Sequence, residues 1–200
     1  TSHYSVVESH NEDGKNSFAS LLRGGAPSLQ WGDDVEHHFY AMYPSTDMFS
    51  DDAAEGIFMN VGNGKVEING LIPTKQNPIE IVSQKDEENN LNHYVAKPDM
   101  RFAYMVAKSA AERTQESVSL SFIPLVTAVE IELKNVTDAI VSVGTIEISS
   151  ETPIAGAFTA DLMNWTSTYP NCVTTGTDKS ITVKTRLKQA SGNEYPVPLM

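Results

Sequence analysis

Five histidines, one cysteine and twenty-six carboxylates are the side chains of this 200-residue sequence best suited to bind metal or move protons. Their spacing decides how far they can go. His37 and His38 form the only adjacent pair, and neighbours in an extended strand point to opposite faces, so the two cannot easily share one ion. One packed and one exposed histidine beside Phe39 and Tyr40 is the simpler reading. His3, His10 and His93 stand alone. The carboxylates gather as Asp33-Asp34-Glu36, Asp51-Asp52-Glu55 and Asp86-Glu87-Glu88. Oxygen-rich runs of this kind can hold calcium, yet none has EF-hand spacing, and acidic turns are far commoner. No pair is nominated as a glycosidase acid and nucleophile, because that assignment rests on a separation in space.

Cys172, the lone cysteine, lies between Asn171 and Val173 with no flanking cation to lower its pKa. It reads as a small packed side chain, not a nucleophile. Glycines occur as Gly24-Gly25 and Gly62-x-Gly64, without a dinucleotide fingerprint or a phosphate-loop lysine, and no G-x-S-x-G elbow is present. No catalytic, cofactor-binding or metal-binding residue is therefore assigned. Trp31, Phe39, Tyr40, Tyr43 and Trp165 have faces on which a sugar ring can stack. Packing in the protein's own core is the simpler account of them, and Trp31 and Trp165 are kept as candidate stacking residues.

The elements that would position these groups are strands. Met59 and Val61, with Ile57 before them, share one face. Gly62-Asn63-Gly64-Lys65 then turns the chain into Val66-Glu67-Ile68, a hairpin by loop length and composition. Val118-Ser119-Leu120-Ser121-Phe122 alternates cleanly, and after Pro124 the pattern resumes with Val129, Ile131 and Leu133 inward and Glu130 and Glu132 outward. This predicts two strands, with Pro124 at a break or corner. Val141 and Val143 share one parity and Ile146 and Ile148 the other, which predicts a bulge near Gly144. Phe102, Tyr104 and Val106 suggest a strand, as do Ile181 and Val183. Helical signals are short: one turn over 17–22, and helix-forming composition over 107–113 without a wide apolar stripe. Residues 83–92 read as an exposed polar loop.

Two hundred residues suit one large sandwich, or one domain and part of a second. The texture changes after Thr152, which predicts a β-sandwich domain over 1–160 and, over 161–200, a transition into a second, truncated β-domain. The terminal run Tyr195-Pro196-Val197-Pro198-Leu199-Met200 ends on apolar residues, as if cut inside a larger protein. Lys and Arg total 14 against 26 for Asp and Glu, a formal net charge of -12 that repels phosphate backbones and anionic lipid surfaces. Nucleic acid is excluded as a partner on that ground, and a solvated acidic surface is the plain reading. One cysteine permits no intrachain disulfide, and no stretch approaches the length of a membrane helix.

Several segments in order resemble the fimbrillin-like proteins of Bacteroidales. His37-His38-Phe39-Tyr40-Ala41-Met42-Tyr43-Pro44 is similar to that family's F-Y-A-x-Y-P strand, preceded by a Trp, here Trp31. Ile72-Pro73-Thr74-Lys75-Gln76 resembles its I-P-T-x-Q turn, and Met100 to Tyr104, after Asp99, its next strand. Val118 to Phe122 followed by Ala128 to Leu133 resembles its V-x-L-x-F-x-H-x-x-x-x-V-x-V-x-L pair, with Pro124 where the family has histidine. Ile146-Glu147-Ile148 and Gly156-Ala157-Phe158 complete the series.

The resemblance covers roughly residues 31–160 and implies an all-β, transthyretin-like, Greek-key sandwich of about seven or more strands with at most short helices. It implies a non-catalytic surface lipoprotein of the cell outer membrane, a stalk, tip or anchor of a pilus, needing no cofactor. Its partners would be other pilus subunits joined by strand donation, and its contact with the membrane a lipid anchor outside this chain. Arg23, in Leu22-Arg23-Gly24-Gly25, is a candidate proteolytic processing site by the same resemblance, with an ordinary exposed loop arginine as the plain reading. The alternative function is a surface module that binds host glycans or proteins through Trp31 or Trp165. A third is a non-catalytic appendage of a secreted hydrolase.

Overall fold

Strands make up most of the described residues, which in the computed structural model are 4–11, 17–23, 31–45, 58–77, 80–85, 92–131, 143–166 and 168–184. The strands are Tyr4–Asn11 (β1), Ser17–Arg23 (β2), Glu36–Tyr43 (β3), Phe58–Gly62 (β4), Lys65–Ile72 (β5), Lys75–Gln76 (β6) and Glu80–Lys85 (β7). Asn92–Lys97 (β8), Met105–Glu112 (β9), Ile123–Pro124 (β10), Thr145–Ser149 (β11), Gly156–Thr166 (β12), Tyr169–Thr174 (β13) and Ser180–Lys184 (β14) follow. A single 3-10 turn at Met100–Phe102 is the only helical element among the described residues. The chain is all-β.

It divides into two compact units, Thr1–Phe39 with Ser109–Ser119, and Tyr40–Lys108 with Leu120–Met200. The first contains the antiparallel hairpin β1–β2, whose register shifts between Val6 and Glu8. The second holds the four-stranded sheet β13-β12-β5-β4, the mixed sheet β11-β14-β6 and the hairpin β7–β8. β10, β9 and β3 form a further sheet in that order, and the division between units falls within β3 and β9.

The core of the second unit lies between two sheets. β5 sends Val66 and Ile68 inward, β12 sends Phe158, Ala160 and Leu162, and they are met by Tyr104, just before β9, and by Val106 within it. Tyr40, Met42, Ile123 and Leu125 pack against this cluster. Ile68, Tyr104, Val106 and Leu162 are wholly buried, each contributing about 1.5–3 kcal/mol by removing apolar surface from water. This is sandwich-type packing, with period two explicit in the buried Val66, Ile68 and Gly70 of β5. Gly70 has no side chain because Phe158, directly opposite, lies across it: a Cβ there would come within 2.5 Å of the ring.

The β4–β5 hairpin forms as expected. Gly62 pairs with Lys65, and Asn63 and Gly64 take φ of 52° and 71°, both positive, as a two-residue type I′ turn requires. β14 likewise carries Ile181 and Val183, paired with Ile148 and Ile146 of β11.

Other expectations are corrected. Residues 107–113 are helix-like in composition but belong largely to β9, because the sheet places a strand between β10 and β3. The turn of helix expected over 17–22 is β2, held by its pairing with β1. Residues 118–122 form no strand. Their exposure still alternates, but the pairing with β9 falls one step later, at Ile123 and Pro124. Val129, expected inward, is 51% exposed. Ser83 to Lys85, expected in a loop, pair within β7–β8. The boundary expected after residue 160 falls inside β12, which continues into the core through Leu162. Ile57, Leu133, Val141, the residues 86–91 and the run 195–200 lie outside the described residues, so the bulge near Gly144 does too in part.

Candidate functional site

Among the described residues β13 is the outermost strand of its sheet and pairs with β12 alone. The phase of that ladder is set by Thr175, whose N–H donates to the Ala157 carbonyl at 2.9 Å. Antiparallel partners exchange both bonds at every second pair. With Thr159 opposite Val173 and Asp161 opposite Asn171, Val173 and Asn171 bond inward to β12. The N–H and C=O of Cys172 and Thr174 therefore point away from the sheet. Pro170 shares the outward phase, where a missing N–H costs the ladder nothing.

Beside this edge opens a groove of about 360 Å³, walled by Pro124, Leu125, Val126 and Thr127 on one side and Tyr169, Pro170 and Cys172 on the other. The first wall is fixed by the Leu125 N–H, which donates to the Tyr104 carbonyl at 2.8 Å, and by Leu125 and Val126 packing on the core. Pro124 lies in β10, an outer strand of its own sheet, so both walls carry a proline in an edge strand. On β13, Tyr169 and Val173 are 55% and 53% exposed. Cys172 is exposed, yet desolvation by the protein around it pushes its thiol above the ordinary range, the opposite of what a nucleophile needs.

A bulge aims this edge. Asp161 pairs with Asn171, but the next pair is Trp165 with Pro170, so Leu162, Met163 and Asn164 have no partner on β13. The Asp161 carboxylate accepts from the N–H groups of Met163 and Asn164 at 2.9 and 3.3 Å and from the Asn164 Nδ2 at 2.6 Å. The Asn164 side-chain bond is the largest cause holding that carboxyl below its usual range, ahead of the backbone bonds and Lys65.

The residues expected to bind sugar fall in different units. Trp165 is half-buried, its Nε1 donates to the Leu162 carbonyl at 2.8 Å, and Lys108 Nζ stands 4.9 Å from its ring centroid. A cation of the protein itself thus occupies a face of that ring. Trp31 is 37% exposed and meets His37 and Phe39 nearly perpendicular, with centroids 5.0 and 5.5 Å away. His37 is half-buried, as expected of one of the pair, and its Nε2 accepts from the Gly32 N–H at 2.8 Å. Its Nδ1 is buried without a partner. His38 is exposed and lies 3.5 Å from Glu36. Arg23 is the last residue of β2, opposite Tyr4, and not in a loop. Among the described residues no three of His, Cys, Asp and Glu gather as metal ligands, and no helix is long and apolar enough to cross a membrane.

Sequence reasoning missed Tyr169, Pro170 and Cys172 as an edge. The available signal was Pro170 inside a β-like run, since a proline there demotes a strand to the margin of its sheet. Comparison with known proteins adds no kinship: the chain matches no family model, no curated protein and no solved structure.

Proposed function

We propose that this chain is a non-catalytic structural subunit of an extracytoplasmic surface fibre of the fimbrillin-like kind, accepting an extended segment of a neighbouring subunit along β13. The observation that carries this reading is the outward backbone of Cys172 and Thr174 beside a groove that Leu125, Val126 and Tyr169 help to line. An incoming strand would bond to those groups and seat alternate side chains against Leu125, Val126 and Tyr169. Strand addition satisfies backbone groups that otherwise present a template for indiscriminate pairing. Pro124 and Pro170 limit how far such pairing can run.

The test is a single proline. Cys172→Pro deletes a donor facing outward and leaves the β12 ladder whole, whereas Val173→Pro deletes one facing inward. Assembly of the purified chain, followed by light scattering and negative-stain microscopy, should fall away in Cys172→Pro at an unchanged unfolding midpoint. Val173→Pro should lower the midpoint itself. Undiminished assembly of Cys172→Pro, or a wild type that stays monomeric at every concentration, overturns the reading.

A further inference from the structure

The chain carries the dipeptide Asn-Gly twice in the space of one hairpin, at Asn63-Gly64 and at Asn69-Gly70. Asparagine before glycine is chemically labile, since no side chain on the second residue shields its backbone nitrogen. That nitrogen attacks the asparagine Cγ, a C–N bond closes the succinimide ring, and the amide nitrogen leaves as ammonia. Water then opens the ring at either carbonyl, giving aspartate or isoaspartate. The reaction needs only water, and its geometry needs the peptide between the two residues to rotate out of its folded conformation.

The two copies differ in what opposes that rotation. Asn63 and Gly64 are the two central residues of the I′ turn, both exposed and outside the ladder that Gly62 and Lys65 close. A Cβ built on Gly64 meets nothing within 4 Å. Rotation there disturbs one turn. Asn69 sits mid-strand in β5, flanked by Phe58 of β4 and Thr159 of β12. Its Oδ1 accepts from the Thr159 hydroxyl at 2.8 Å. Gly70 is buried beneath the Phe158 ring. Ring closure at Asn69 would require β5 to leave both neighbours.

From this contrast we infer that Asn63 is a modification site, converting spontaneously to aspartate and isoaspartate in the folded chain, while the fold shields Asn69 from the same chemistry. The product matters to the sheet. Isoaspartate adds a methylene to the main chain and a carboxylate to the tip of a turn whose two-residue length sets the register of β4. Among the described residues β4 is the opposite margin of the sheet from β13 and pairs with β5 alone. Conversion at Asn63 should therefore loosen β4 and leave the β5–β12 ladder in place.

The experiment incubates the folded chain in mildly alkaline buffer, alongside a sample held in urea, and maps both by peptide mass spectrometry with isoaspartate detection. Conversion at Asn69 in the folded sample should be at least about tenfold slower than at Asn63, because opening a central strand costs far more than opening a turn. In urea the two sites should convert at similar rates. Hydrogen exchange on the aged folded sample should rise in residues 58–62 and not in residues 156–161. Equal conversion of the two sites in the folded chain overturns the inference, as does an Asn63 that persists when folded but converts in urea. Asn63→Asp, which carries the charge without the extra methylene, should leave exchange in β4 near that of the wild type.

Discussion

β12 has two flanks, and they are built differently. Toward β5 it pairs over six successive residues, Gly156 to Asp161, without a slip, and that flank encloses Ile68, Gly70 and Phe158. Toward β13 the ladder breaks after Asp161, resumes at Trp165 and ends against a strand with exposed Tyr169, Cys172 and Val173. The same strand therefore closes a core on one side and supports an open margin on the other. Regular pairing with interdigitated side chains resists change, while a bulge frees backbone to be aimed elsewhere.

The widest expected gap between the flanks comes from truncating one apolar side chain on each. Ile68→Ala removes a fully buried side chain and should cost about 2–5 kcal/mol. Val173→Ala, on the margin, should stay within about 0.5 kcal/mol of wild type. Urea denaturation of the two variants reads both values. Comparable losses would mean that β13 is as tightly built as β5 and would erase the contrast.

A methyl group sharpens it next. Gly70→Ala places a Cβ 2.5 Å from the Phe158 ring, and the displacement of a packed aromatic should cost about 1–3 kcal/mol. Gly144→Ala, where a Cβ meets nothing within 4 Å, should be neutral or stabilise by up to about 1 kcal/mol through the unfolded chain. Phe158→Leu combined with Gly70→Ala should lose less than the sum of the two single changes, since the clash is between them.

The closed flank was more legible in the sequence than the open one. Asn63 and Gly64 announce their turn through local chemistry alone, and Val66 and Ile68 announce an inward face by parity. Residues 107–113 mislead because alanine favours helix only until two neighbouring strands claim the backbone. Residues 118–122 mislead in the other direction: Val118, Leu120 and Phe122 alternate, yet alternation without a partner is not a strand. The site is harder still. Pro124 and Pro170 can each be recognised as marginal in isolation, but they lie far apart in sequence, and that they wall one groove depends on which strand each pairs with. Trp31 and Trp165 drew the eye as aromatic platforms, while the contacts that occupy them, His37 and Phe39 for one and Lys108 for the other, are set by the fold and not by spacing.

The alkaline limit tests the closed flank with a single hydroxyl. Tyr104 is fully buried and its hydroxyl donates to the Leu71 carbonyl of β5 at 2.7 Å. Burial pushes its ionisation from 10.0 up to about 12, with Asp99 adding to the rise and the bond to Leu71 opposing it. Because the folded value lies above the unfolded one, the contribution of neutral Tyr104 is complete below pH 10.0 and is lost as pH rises toward about 12. Tyr104→Phe should cost about 1 kcal/mol at neutral pH by leaving the Leu71 carbonyl unpaired. It should also flatten the fall in stability over that alkaline window.

The open flank should answer at the other end of the pH scale, and with the smallest effect. Asp161 is held below its usual range by Asn164 and the bulge amides, so its contribution is present at neutral pH and fades as acid protonates it in the folded state. The carboxylate is largely solvated, and its loss should leave the global midpoint unmoved. The response should instead be local: in Asp161→Ala, hydrogen exchange at Met163 and Asn164 should rise at neutral pH to the level that the wild type reaches only in acid, with the β5–β12 amides unchanged. If those amides follow the bulge, the two flanks of β12 are one cooperative unit. Opening the margin would then open the core, and an edge so coupled could not receive a strand without loosening the sheet that presents it.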